Sequence, residues 1–159
     1  MFDRPALPFF HPATLIATWF GSGLVRFAPG TWGSLAALPC AYLLHLLGGT
    51  WLLAAAAGLV FLAGLWASER YAAALGSGDP GAVVVDEVAG QWLALLPLPT
   101  DLWWYAAAFA LFRLFDIVKP WPIGWLDRNL SGGLGIMADD LAAGLLAGLV
   151  AYGLMLWIG

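Results

Sequence analysis

Residues 83–96 read Val83-Val84-Val85-Asp86-Glu87-Val88-Ala89-Gly90-Gln91-Trp92-Leu93-Ala94-Leu95-Leu96, an apolar run with two adjacent carboxylates near its start. An ionised group on such a segment is costly unless it is paired, hydrated or bound to a metal. The same conflict recurs further on. Arg113 and Asp116 interrupt ALFRLFDIVKP (110–120), and Asp139 and Asp140 open the long apolar run to residue 159. Ionisable groups on three separate apolar segments point to a functional site inside a membrane-embedded bundle.

Composition supports the membrane reading. Of the 159 residues 62% are hydrophobic and 10% charged, and the mean hydropathy is +0.86. Soluble domains run at about 45–50% apolar and about 25% charged. The opening MFDRPALPFFHP carries Asp3 and prolines ahead of any apolar run. It lacks the basic start and unbroken apolar region of a cleaved signal peptide, so retention of the first residues is expected. Cys40 is the single cysteine, which excludes an internal disulfide or a Cys-rich metal site. Set among Leu38, Pro39, Ala41 and Tyr42, it reads as an inert buried thiol. A formal charge of −4 with no basic tract excludes nucleic acid as a partner.

The expected fold is all-α: an integral membrane bundle of four to five transmembrane helices plus an N-terminal interfacial or re-entrant helix, in one domain covering residues 1–159. Five apolar segments rich in Ala and Leu read as helices: Ser34–Leu47, Trp51–Leu75, Pro80–Leu96, Leu102–Val118 and Asp139–Ile158. Asp79, Asp101 and Asp139 are the expected N-caps, and Gly48-Gly49 and Pro97-Leu98-Pro99 the stops. Ser34–Leu47 is short for a bilayer core of about 30 Å. The stretch Ala13–Phe27, broken by Gly and Ser, is the expected interfacial or re-entrant helix.

Alternating spans put every Lys and Arg on the side where the chain enters Ser34, as the positive-inside rule requires of a cytoplasmic face. The carboxylates of Glu69, Asp86, Glu87, Asp116, Asp139 and Asp140 fall at the same depth. Asp86 lies thirteen residues before Pro99 and Arg113 fourteen after it. Equal rise on the two arms of a helical hairpin sets Asp86 or Glu87 beside Arg113.

Asp86, Glu87, Asp139 and Asp140 offer oxygen ligands from two helices with no histidine near, which suits Mg²⁺ or Mn²⁺ rather than zinc. Neighbours on a helix diverge by about 100°, so one member of each pair is the expected ligand. Arg113 and Lys119 are suited to phosphate. The loop RFAPGTWGS, with Arg26, Gly30, Thr31 and Ser34, can cradle a phosphate oxygen, although a plain membrane-entry turn reads equally well. Gly144 and Gly148 form a GxxxG pattern that lets a neighbouring helix approach and press Asp140 inward.

Four blocks, FAPGTWGSLAALP, DPGAVVVDEVAGQW, FRLFDIVKPWPI and GLGIMADDLAAGL, make the chain resemble the phosphatidylglycerophosphatase A family of bacterial membrane enzymes. The resemblance implies Mg²⁺-dependent hydrolysis of the terminal phosphate of phosphatidylglycerophosphate to give phosphatidylglycerol at the inner membrane. No Cys-x5-Arg loop, Asp-x-Asp-x-Thr motif or nearby histidine offers a covalent nucleophile. The expected chemistry is therefore attack by metal-activated water. Asp86 or Glu87 and Asp139 or Asp140 would hold the metal, and Arg113, Lys119 and the Thr31–Ser34 loop the phosphate. Asp116 would orient Arg113 or accept a proton. A small ion-coupled transporter or channel is the competing class, and it requires carboxylates spread across the membrane.

Overall fold

In the computed structural model, which describes residues 4–158, all regular structure is helical. The helices are α1 (Pro12–Ala17), α2 (Pro29–Leu75), α3 (Val85–Leu95), α4 (Leu102–Val118), α5 (Ile123–Asn129) and α6 (Gly132–Ile158), with a 3₁₀ turn at Ser22–Leu24. Two of them, α2 and α6, are long and apolar enough to cross a membrane. Asp3, quoted with the opening residues, lies outside the described part.

Helix α2 is two arms. Gly48 and Gly49 leave helical geometry, as their expected role as a stop requires. Gly33 packs on Val84 and Gly64 on Val85. A straight helix would carry those two glycines about 46 Å apart, whereas Val84 and Val85 are chain neighbours. Residues 29–47 and 50–75 therefore run antiparallel. At the far end His45 hydrogen-bonds the Tyr105 hydroxyl at 3.1 Å and Thr50 at 3.2 Å, and the Thr50 hydroxyl donates to the Leu96 carbonyl at 3.3 Å. The α2 turn, the end of α3 and the start of α4 thus meet at one pole, and the N-termini of α2, α3 and α6 gather at the other.

Glycine lets α3 and α6 touch backbone to backbone. A Cβ on Gly90 would lie 2.5 Å from the Asp140 carbonyl oxygen, and one on Gly144 would collide with that of Gly90. A Cβ on Gly148 would sit 3.0 Å from the Ala94 carbonyl oxygen. Trp92 donates its indole N–H to the Ala37 carbonyl at 2.9 Å, which ties α3 to the first arm of α2 as well.

Several boundaries differ from expectation. Helix α3 starts at Val85 rather than Pro80, because residues 80–83 close a turn, with the Val83 N–H on the Pro80 carbonyl at 2.9 Å, and the Val84 N–H is bonded to the Ala17 carbonyl at 2.8 Å instead of continuing a helix. Asp79 therefore caps nothing, whereas Asp101 caps α4 by accepting from the N–H groups of Trp103 and Trp104. Helix α6 begins at Gly132, so Asp139 is two turns inside it and is not a cap. Its glycine-rich start is held by packing, since a Cβ on Gly133 would collide with the Leu65 carbonyl. The stretch Ala13–Phe27 is not one helix but α1 followed by the 3₁₀ turn. Helix α2 starts at Pro29, five residues before Ser34. Cys40 is exposed rather than buried, which is ordinary for an apolar side chain on the outer face of a bundle in lipid.

Candidate active site

The pole where α2, α3 and α6 begin holds a chamber of about 490 Å³. Helix α3 brings Asp86 and Glu87 in its first turn, where the helix dipole favours negative charge. Helix α4 brings Arg113 and Asp116 near its end, then Lys119, whose backbone is left-handed with φ 48°. Helix α6 brings Asp139 and Asp140. Ala28, also left-handed at φ 49°, begins the wall that Pro29 and Gly30 continue. Non-glycine residues in this region of backbone space are strained, and such strain collects where a side chain must be aimed.

The ionic contacts sort the charges. Arg113 is ion-paired with Asp116 and lies 3.6 Å from Glu87, the approach that the hairpin register anticipates. The Lys119 ammonium donates to Asp127 and to Asp139, both at 2.6 Å. Burial alone would lower its pKa, but those two hydrogen bonds and the two negative charges outweigh it and hold the pKa above the usual lysine value. Lys119 therefore stays cationic across the physiological range.

Asp86, Glu87 and Asp140 can each turn one oxygen so that all three lie within 4.8 Å of one another. Asp86 Oδ1, Glu87 Oε2 and Asp140 Oδ2 are buried without a hydrogen-bond partner. Oxygen ligands at about 2.1 Å from a Mg²⁺ ion lie about 3–4 Å apart in an octahedral shell. Three carboxylates that each bring one oxygen within this spacing, and each hold a buried oxygen without a hydrogen-bond partner, fit such an ion, and they fit zinc less well.

Three details depart from the sequence reading. Both members of the Asp86–Glu87 pair join the cluster, because the first turn of α3 faces the chamber with its end as well as its side. Asp139 does not join it, being held by Lys119 on the α5 side. The segment 29–34 is the first turns of α2 and not a loop. There Ser34 is buried and donates to the Gly30 carbonyl at 2.9 Å, while Gly30 meets Glu87 and Arg113. Thr31 and Ser34 are absent from the chamber wall, and Arg26 lines a neighbouring cavity.

Two residues were not singled out from the sequence. Asp127 comes from α5, a seven-residue helix with no apolar period long enough to mark it. Gln91 sits one turn inward of Glu87 on α3, fully buried, with neither amide atom hydrogen-bonded. A buried polar group without a partner costs about 1–3 kcal/mol. Gln91→Met is therefore expected to raise the melting temperature in detergent by roughly 3–8 °C, at about 2–4 °C per kcal/mol for this chain length. Thermal melting monitored by circular dichroism checks this, and a fall would mean that the amide has a partner in the folded protein.

The family pattern described as Phosphatidylglycerophosphatase A matches residues 15–155. This chain belongs to the phosphatidylglycerophosphatase A family. It is accordingly a lipid phosphatase enzyme. Phosphatidylglycerophosphatase A of Escherichia coli is 44% identical over 144 residues, covering 89% of this chain and 83% of that protein. The protein of the same name from Haemophilus influenzae is 42% identical over 149 residues, covering 93% and 91%. A relative in Bacteroides thetaiotaomicron, 46% identical over 145 residues and covering 87% and 89%, is named as a candidate phosphatidylinositol-3-phosphatase. No solved structure matches the chain.

Proposed function

We propose that this chain hydrolyses the terminal phosphomonoester of phosphatidylglycerophosphate, yielding phosphatidylglycerol and phosphate, as one membrane-embedded domain of the bacterial inner membrane. The observation that carries the reading is the Asp86, Glu87 and Asp140 cluster set beside Arg113 and Lys119 in one chamber. The names of the relatives support the substrate. The lipid in the Bacteroides relative's name has the same outline, a phosphomonoester on an alcohol that a phosphodiester joins to diacylglycerol.

The five-span arrangement uses both arms of α2 together with α3, α4 and α6, with α1 at the interface. The six basic residues lie at or near the chamber pole, whereas among the described residues Asp101 is the charged residue of the opposite pole. By the positive-inside rule the chamber faces the cytoplasm. A phosphate headgroup resides at that depth, and water reaches it there. Acyl chains can stay against the outward Leu, Trp and Phe side chains of the bundle.

Asp86, Glu87 and Asp140 would hold Mg²⁺, with Mn²⁺ as a substitute. When bound, the ion neutralises charge on the phosphoryl group and makes water more acidic. Arg113, braced by Asp116, supplies a planar donor pair for two phosphate oxygens, and Lys119 a third cationic contact. Hydrolysis joins the oxygen of water to phosphorus and breaks the bond to the glycerol oxygen, which leaves as the alcohol of phosphatidylglycerol. Asp139 and Asp127 keep Lys119 aimed and cationic during this exchange.

Phosphate release from phosphatidylglycerophosphate in detergent micelles, with Mg²⁺ and with chelator, tests the reading. Release that chelator abolishes is expected. Chelator-insensitive release, or ion flux in liposomes without release, would refute it. The transporter reading fares worse because the clustered carboxylates lie at one pole, and Asp101 at the other is engaged in capping α4.

Metal binding has a second readout. A ligand at 100 times its Kd stabilises by about 2.7 kcal/mol, so Mn²⁺ or Mg²⁺ is expected to raise the melting temperature by roughly 5–10 °C. Asp140→Asn is expected to abolish that rise while melting higher than the metal-free wild type, because one of three mutually repelling carboxylates is gone.

A further inference from the structure

Gln91 stands four residues after Glu87 on the same face of α3, and it is 0% exposed. Side chains on a helix lean toward its N-terminus, so a long side chain at position 91 covers the turn that carries Glu87. Gln91 does not line the chamber. It is therefore out of reach of a substrate and can act only through a neighbour.

Neither Gln91 Nε2 nor Gln91 Oε1 has a hydrogen-bond partner, and the same holds for Glu87 Oε2 and Arg113 Nε. The four atoms are complementary, because the amide nitrogen and Arg113 Nε donate while the carboxylate and the amide oxygen accept. Glu87 lies 3.6 Å from Arg113, so the face that carries Glu87 and Gln91 is turned toward α4. Packing does not account for an amide at this position. Met or Leu would fill it without burying an unpartnered polar group, which is costly.

We propose that Gln91 is a positioning residue for the metal centre: its amide N–H donates to the Glu87 carboxylate and holds it in the orientation that serves the ion. The inference rests on the reading given under the proposed function. Of the three expected ligands, Glu87 has the most need of a brace. Its side chain has one more torsion than Asp86 or Asp140, and so more freedom to lose when an ion is held. It also has a rival partner, since Arg113 attracts the same carboxylate. Side chains four residues apart on a helix start about 5–6 Å from one another, and amide–carboxylate pairs form at that spacing. An amide is suited to the task because it donates without adding charge to a chamber already crowded with carboxylates.

Metal affinity and metal-free stability separate this role from a structural one. The Kd for Mn²⁺ is measured from the electron paramagnetic resonance of the free ion, with the full chain in neutral detergent micelles, for wild type, Gln91→Met, Gln91→Leu and Gln91→Asn. Gln91→Met is expected to raise the Kd about 10–100-fold, the usual effect of losing a partner behind a metal ligand. The Mn²⁺ concentration for half-maximal phosphate release should rise by the same factor. The metal-free melting temperature should rise as well, because the unpartnered amide is gone. Affinity and stability thus move in opposite directions, whereas an amide that merely held the fold together would lower both. Gln91→Asn keeps the amide on a shorter stem and should fall between wild type and Gln91→Met. Gln91→Leu serves as a second apolar variant if Gln91→Met does not fold. A Kd that moves by less than about threefold, well short of a lost ligand partner, would overturn the role, as would a loss of affinity accompanied by a lower metal-free melting temperature. A wild type that bound no Mn²⁺ would overturn the parent reading as well, an outcome distinct from a normal wild-type Kd that Gln91→Met leaves in place.

Discussion

Asp140→Asn is expected to lower phosphate release by about 10³-fold or more, a loss of about 4 kcal/mol in transition-state stabilisation. Asn keeps the shape of the side chain but removes the charge and replaces one carboxylate oxygen with an amide donor. Asp140 is 3% exposed, and its Oδ2 has no hydrogen-bond partner, so little but the cluster depends on it. Asp86→Asn should behave alike. Asp139→Asn should lose less, about 10–100-fold, because it acts by aiming Lys119. Initial rates in Mg²⁺ micelle assays measure all three. Equal losses at Asp139 and Asp140 would dissolve the distinction drawn between ligand and support, and full activity in both Asp86→Asn and Asp140→Asn would remove the site.

The second large effect concerns packing. Gly144→Ala places a methyl group into the Gly90 carbonyl and 2.7 Å from the Gly90 carbonyl carbon. Both partners are helical backbone, so no rotamer change relieves the contact, and α3 and α6 must move apart. The cost is about 3 kcal/mol, at the upper end for overpacking, and the expected melting temperature is about 6–12 °C below wild type. Activity should fall further than stability, because Gly144 is one turn from Asp140 and the separation opens the cluster. Gly153→Ala on the same helix is the control. A Cβ there meets nothing within 4 Å, so the better helix former should be neutral or slightly stabilising. Equal melting temperatures for the two variants would show that α3 and α6 are not in backbone contact.

Legibility varied with the range of the forces involved. The Gly48-Gly49 stop, the Asp101 cap and the Glu87–Arg113 approach follow from glycine freedom, side-chain capping and helical rise, all local or set by one short turn. Asp79 followed by Pro80 carries an equally good start signal, yet α3 begins at Val85 because Val84 is bonded to Ala17, more than sixty residues earlier. No window of sequence contains that bond. Helix α5 was missed for a related reason. It is too short to show an apolar period, and its contribution is to hold Asp127 against Lys119.

By itself the sequence determined that this is an apolar helical protein with its charge gathered at one pole, because the cost of placing an ion in hydrocarbon restricts where carboxylates and cations can stand. It also determined that glycines would bring α6 against a neighbour. Only the tertiary structure decided which carboxylates share a cluster. On each helix Asp86 and Glu87, or Asp139 and Asp140, differ by one step of rotation, and their roles depend on what the facing helix presents. Gly90 admits α6 to α3 at the level of Asp140, and Lys119 draws Asp139 away. That sorting comes from contacts between distant segments, which local propensity does not encode.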